Sequence, residues 1–335
     1  MAYKINTTEY MYCSSRIRAL ENQIMGKDFI SSLVETSSYE EVLNRISEKT
    51  GLISDPDGVI DVEGMLEKIF SDACTLIEKL TPDAKMYEFL RYGYDCNNIK
   101  TAIKCRVRGI DPSGILFECG TKTAEDAVAA AAGEDVGYPA NMAKAAIQAQ
   151  EIYAKTKNPQ GIDICVDKAC FADMLENAGK YGSELSVKLV NTRITLINIM
   201  ICIRLISMNL LNSTGEKLIR EALVEGGSFE RDFYPEACAG GLDRLFEMLE
   251  YTDYGKFAAF ASENRDNLGL IEKYADDRYM EVAKEAKMIP FGPEVAIGYL
   301  VAREYEVKNL RILTSAKRNR ISPTVIRERL RESYV

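Results

Sequence analysis

Between Leu185 and Leu211 the chain reads LSVKLVNTRITLINIMICIRLISMNLL, twenty-seven residues without a glycine or a proline. As an α-helix this stretch is long enough to cross a bilayer, at a rise of about 1.5 Å per residue. Two arginines argue against lipid. Arg193 and Arg204 both fall inside any twenty-residue window centred on the apolar run, and each costs roughly 2.5–3.5 kcal/mol to insert. The five isoleucines from Ile194 to Ile203 suggest a strand, but strands end after about 4–8 residues. Apolar side chains fall on every side of positions 194–206. The segment therefore predicts a core helix enclosed by other helices, its arginines reaching outward at the ends.

A local pattern recurs around it. DCNNIKTAIK at 95–104, TLINIMICIR at 195–204 and EVKNLRILTS at 306–315 superpose on Asn98, Asn198 and Asn309, each followed by a branched aliphatic residue, Ile99, Ile199 or Leu310. The first position is acidic in the outer copies, Asp95 and Glu306, and Thr195 in the middle one, so the middle copy is expected to be the most buried. Each asparagine is expected to bond backbone or a neighbouring helix. Spacings near one hundred residues divide the chain into three similar helical units, 1–116, 117–217 and 218–335.

Helix punctuation supports this division. SSYEEVLNRISEKTG carries Ser37 or Ser38 as cap and Gly51 as stop, and Thr123 with Asp126 has the spacing of a capping pair before Gly133. Further helical periods run through DVEGMLEKIFSDACTLIEKL, YPANMAKAAIQAQEIYAKT and EVAIGYLVAREYEVKNLRILTSAKRN. No turn dipeptide stands between alternating apolar runs, so the fold class is all-α. The connection NSTGEK at 212–217 reads as the exit loop of the long helix.

The residue inventory narrows the chemistry. The chain has no histidine, which removes the usual general base and the commonest transition-metal ligand. Nine scattered cysteines and a start without an apolar signal segment predict reduced, mostly buried thiols; Cys165 and Cys170 have ligand-like spacing but no histidine to join them. The steps around Gly26, Gly179, Gly215 and Gly255 lack the remainder of a phosphate loop. In SDPDGVID, with Asp55 as the first position, Gly58 falls at the fourth, where a calcium loop needs its glycine sixth. Asp276 and Asp277 are neighbours whose side chains diverge by about 100° on a helix, and they predict a charged helix face. No catalytic, cofactor-binding or metal-ligating residue is expected.

Charge is uneven. Forty-two Lys and Arg oppose fifty-one Asp and Glu, a net charge of -9, so the chain as a whole is repelled by nucleic acid and anionic lipid. The last stretch is the exception: SAKRNRISPTVIRERLRESYV carries Lys317, Arg318, Arg320, Arg327, Arg329 and Arg331 against Glu328 and Glu332. Ser322 and Pro323 open a short helix there, with Arg327 and Arg331 expected one turn apart on one face.

The block PFGPEVAIGYLVAREYEVKNLRIL at 290–313, with ISPTVIRERL downstream and YGYDCNNIKTAIKCR upstream, closely resembles the C subunit of the V-type (A/V-type) ATPase/ATP synthase, the homologue of the eukaryotic V-ATPase d subunit. The likeness extends over essentially the whole chain, with the acidic residue missing from the middle repeat. The resemblance implies an all-helical, pseudo-threefold funnel of three similar domains. It implies a non-catalytic rotor subunit at the cytoplasmic face of the membrane, without cofactor and without membrane insertion. Its partners would be the central-stalk shaft subunits and the membrane proteolipid ring, and it would carry torque for proton or sodium transport or ATP synthesis. The turn residues Pro290, Phe291, Gly292 and Glu294 and the tail residues Arg318, Arg320, Arg327 and Arg329 are the candidate partner contacts. Competing readings are a helical-repeat scaffold unrelated to ATPases, which predicts an open solenoid, and a small-molecule enzyme, which predicts a deep pocket with convergent polar groups.

Overall fold

The computed structural model describes residues 5–51, 61–181, 183–210 and 215–335. Helices joined by turns and loops make up the described structure, and no strand occurs among these residues. In chain order the α-helices are α1 (Met11–Glu21), α2 (Lys27–Val34), α3 (Tyr39–Thr50), α4 (Val62–Leu80), α5 (Tyr92–Arg108), α6 (Ala124–Ala132), α7 (Ala140–Thr156) and α8 (Gln160–Tyr181). They continue with α9 (Glu184–Ser207), α10 (Gly215–Ala222), α11 (Phe233–Ala239), α12 (Gly241–Leu249), α13 (Gly255–Glu263), α14 (Leu268–Ala283), α15 (Pro293–Arg318) and α16 (Pro323–Arg329).

The local signals act as expected. Ser38 caps α3 by accepting from the Glu41 N–H, and Gly51 closes it in the left-handed region at φ 69°. Thr123 and Asp126 form a reciprocal capping box at the start of α6, and Gly133 ends that helix at φ 95°. Asp61 caps α4. Asp55, Asp57 and the first half of the NSTGEK connection lie outside the described residues; its second half, Gly215 to Lys217, is not loop but the first turn of α10.

The chain divides into two compact units, one spanning residues 85–265 and one joining residues 5–84 to 266–335. In the first, α7 and α8 pair along their length, α8 packs on α5 and α9, and α11 and α12 follow around α9. In the second, α15 is the axis: α1, α2, α3, α4, α14 and α16 all pack against it.

The apolar run is helix α9. Among the described helices it alone is long and apolar enough to cross a membrane, and 61% of its most apolar window is buried inside the protein. Leu185, Leu189, Ile194, Ile199 and Ile203 are buried among its neighbours in the first unit, while Arg204 is exposed. Helix α15 is at least as enclosed, burying Glu306, Asn309 and most of its apolar residues. The expectation that the acidic outer copies mark more exposed helices therefore fails, because Asp95 and Glu306 are themselves buried at 0% and 3% exposure. Both are satisfied by polar partners rather than by water.

A second expectation also changes. Helix α16 ends at Arg329, and Leu330 already has extended backbone at φ -66°, ψ 135°. Arg331 thus leaves the helix instead of sharing a face with Arg327.

Candidate functional site

Asn98 on α5, Asn198 on α9 and Asn309 on α15 are all buried, and all three make the same pair of bonds. Asn98 Nδ2 donates to the Phe117 carbonyl at 2.7 Å while its Oδ1 accepts from the Phe117 N–H at 2.8 Å. Asn198 does the same to Val224, at 2.9 Å in each direction. Asn309 holds Arg331, donating at 3.0 Å and accepting at 2.8 Å. A carboxamide carries a donor and an acceptor side by side, so it pairs with one residue's backbone as an extra strand would. Each asparagine thus fixes the return segment that follows its own helix, and a costly buried amide is fully satisfied.

Flanking positions extend the clamp in two copies. Three residues before the asparagine, Asp95 accepts from Thr121 Oγ1 at 2.6 Å and from the Lys122 N–H at 3.2 Å, and Thr195 Oγ1 accepts from the Ser228 N–H at 2.7 Å. Seven residues before it, Arg91 donates to the Cys119 carbonyl at 3.1 Å and to that of Gly120, and Asn191 accepts from the Gly227 N–H at 3.0 Å. Gly120 and Gly227 occupy the same place in the two return segments. A Cβ on Gly120 would collide with the Asp95 carboxylate, and one on Gly227, whose φ is +91°, would stand 2.8 Å from Thr195 Oγ1. Desolvation pushes the Asp95 carboxyl upward, opposed by its bonds from Thr121 and Lys122.

The third copy departs here. Position minus three is Glu306, which accepts from the Met25 N–H at 2.6 Å and pairs with Arg303 at 2.6 Å; position minus seven is Ala302. Burial raises the Glu306 carboxyl, and Arg303 works against that rise.

The clamped residues were not anticipated, although the sequence carries a signal for them. LFECGT at 116–121, LVEGGS at 223–228 and LRESYV at 330–335 share Leu at the first and Glu at the third position, at equal intervals of 107 residues. The asparagine helices alone, at unequal spacings, do not reveal it.

The candidate turn is held rigidly. The Gly292 N–H donates to Ser14 Oγ at 3.3 Å, and Arg18 Nη2 donates to the carbonyls of Ala286 at 2.6 Å and Ile289 at 2.9 Å. Pro293 occupies the first turn of α15 with Glu294 beside it, where a carboxylate suits the helix dipole. Phe291 is exposed at 41%, and its neighbour Pro290 is exposed as well.

The basic tail is not one free patch. Lys317 Nζ donates to the Val34 and Thr36 carbonyls at 2.7 and 2.6 Å, capping α2. Arg327 pairs with Glu35, and Arg331 pairs with Asp276 at 2.9 Å. Arg318, Arg320 and Arg329 are exposed. The turn and the Arg318–Arg320 end stand at opposite ends of α15, a helix of 26 residues and so about 39 Å long. They do not converge on one surface. Asp276 and Asp277 are likewise engaged rather than solvated: Asp276 also binds Lys308 at 2.7 Å, and Asp277 accepts from the Glu332 N–H at 2.7 Å.

A family model described as ATP synthase (C/AC39) subunit matches residues 13–329. The chain belongs to this family. Among similar proteins, the C subunit of the A-type ATP synthase of Methanocaldococcus jannaschii is 25% identical, with 97% of this chain and 87% of the relative aligned. The C subunit of the V-type sodium ATPase of Enterococcus hirae is 24% identical over 97% and 99% of the two chains. Its counterpart in the A-type ATP synthase of Thermococcus kodakarensis is 22% identical over 97% and 92%. All three clamp asparagines lie within the matched C/AC39 span, which displaces the reading as an unrelated repeat scaffold.

Proposed function

We propose that this chain is a non-catalytic rotor subunit of a V/A-type ATPase, a socket that joins the central shaft to the membrane proteolipid ring and transmits torque between them. It acts peripherally at the cytoplasmic face, without cofactor. The three units proposed, 1–116, 117–217 and 218–335, form a pseudo-threefold collar. The observation that carries this reading is the threefold recurrence of one backbone clamp in a chain whose family is an ATP synthase subunit.

The physics of the part agrees. A torque adaptor needs stiffness, and close-packed interiors transmit strain instead of absorbing it. Two further features support contact with two partners. The turn of Pro290, Phe291, Gly292 and Glu294 is latched to α1, and Arg318 and Arg320 lie at the far end of the same helix. Arg327 and Arg329 extend the basic end on α16.

The test is co-purification. A tagged chain is expected to recover shaft and ring subunits together; recovery of neither contradicts the proposal. Charge reversal at Arg318, Arg320, Arg327 and Arg329 together is expected to lower recovery of one partner at least tenfold, while full assembly of that variant removes the tail from the contact surface.

A further inference from the structure

The first unit holds a groove of about 990 Å³ between the α7–α8 pair and the segment 221–226, lined by none of the turn or tail residues. Its floor is apolar, with Ile152 from α7 and Ile164, Ala169 and Leu175 from α8. From Gly161 to Leu175 the α8 wall runs for fifteen residues, about 21 Å from first to last, which matches four turns of a docked helix. The far wall is preformed, because the Asn198 clamp holds Val224 within it.

The charges of the groove are unbalanced. On the far wall Glu221 pairs with Lys217 at 3.6 Å and Glu225 with Arg231 at 3.3 Å. On the opposite side, Lys144 and Lys168 make no ion pair among the described residues. Lys168 is half-buried beside apolar groups; desolvation and the nearby Arg231 push its ammonium down from its ordinary value, and the attraction of Glu225 and Glu221 offsets this only in part. A cation held in this way among apolar side chains is completed by a carboxylate that arrives with its own apolar surface.

We infer that this groove is the seat of an amphipathic helix from another subunit of the assembly, apolar stripe down on Ile152, Ile164 and Leu175, with carboxylates meeting Lys144 and Lys168. The inference rests on the reading of the chain as an assembled ATPase subunit. The fit is the helix-in-groove mode of recognition.

The groove contains its own reporter. Cys165 lines it and is the one cysteine of nine that is not buried. Maleimide labelling of Cys165, with Cys165→Ser as the background control, is compared between the isolated chain and the purified native ATPase. The groove assignment predicts labelling in the isolated chain and at least tenfold slower labelling in the assembly. It also predicts that Lys144→Glu with Lys168→Glu weakens association about tenfold or more, as does Ala169→Trp, which fills the floor, each with an unchanged helical spectrum. Equal labelling in the two states, or full assembly of the folded variants, overturns the assignment while leaving the subunit reading intact. Protection already present in an isolated dimeric chain overturns it in favour of a second copy. Failure to recover any ATPase subunit with the chain sinks the underlying reading instead.

Discussion

A buried carboxamide destabilises a core unless both its ends are paired, and Asn198, at 0% exposure, pairs both with the backbone of Val224. Replacing it by alanine strands one N–H and one carbonyl, at about 1–3 kcal/mol for each stranded group. Asn198→Ala is therefore expected to lose about 2–5 kcal/mol in urea unfolding. Asn191→Ala, which removes a single bond to the Gly227 N–H from a half-buried side chain, is expected to lose about 1 kcal/mol. Equal losses would show that the two bonds to Val224 carry no special weight. The three asparagines were legible as a repeat, and their bonding to backbone was the ordinary expectation for buried amides. Their shared target was not legible, because a side chain's partner 19 to 26 residues away leaves no mark on helical periodicity.

At the scale of elements, helix type and punctuation were readable wherever local chemistry decides them, as at Ser38, Gly51, Thr123 and Gly133. Where long-range contacts decide, reading fails. The helix signal of ISPTVIRERLRE runs on to Arg331, but Asn309 takes the Arg331 backbone and its guanidinium turns to Asp276. That carboxylate ties α14 to α15 and to the final segment through Lys308, Tyr305 and Arg331. Burial raises the Asp276 carboxyl, but Lys308 and Arg331 together outweigh it and hold the group below its ordinary 3.8. A carboxyl lowered in the folded state contributes stability that is fully present above its unfolded value and is lost as pH falls through the folded one. Asp276→Asn is therefore expected to cost about 1–3 kcal/mol at pH 7, and the gap from the parent chain should narrow as pH drops below 3.8. Urea midpoints of both proteins at about pH 7 and about pH 3 check this; a gap independent of pH would mean the carboxylate acts only through packing. Glu306, raised by burial, has the opposite sign and loses stability as pH rises.

For the whole molecule, all-α architecture follows from abundant helix stops and absent hairpin signals, and the family was recognisable from the block 290–330. Two clamps lie in the unit of residues 85–265 and the third in the unit that joins both ends of the chain. The association of the early helices with α15 was hidden from sequence, since partners nearly three hundred residues apart share no local pattern, as Ser14 with Gly292 illustrates. The proposed torque-carrying role has one decisive test. Membrane vesicles bearing the ATPase are prepared with the chain present, deleted and restored, and ion uptake is measured beside ATP hydrolysis. The account predicts that deletion abolishes ion transport per ATP hydrolysed and that restoration returns it; transport per ATP unchanged by deletion would contradict it.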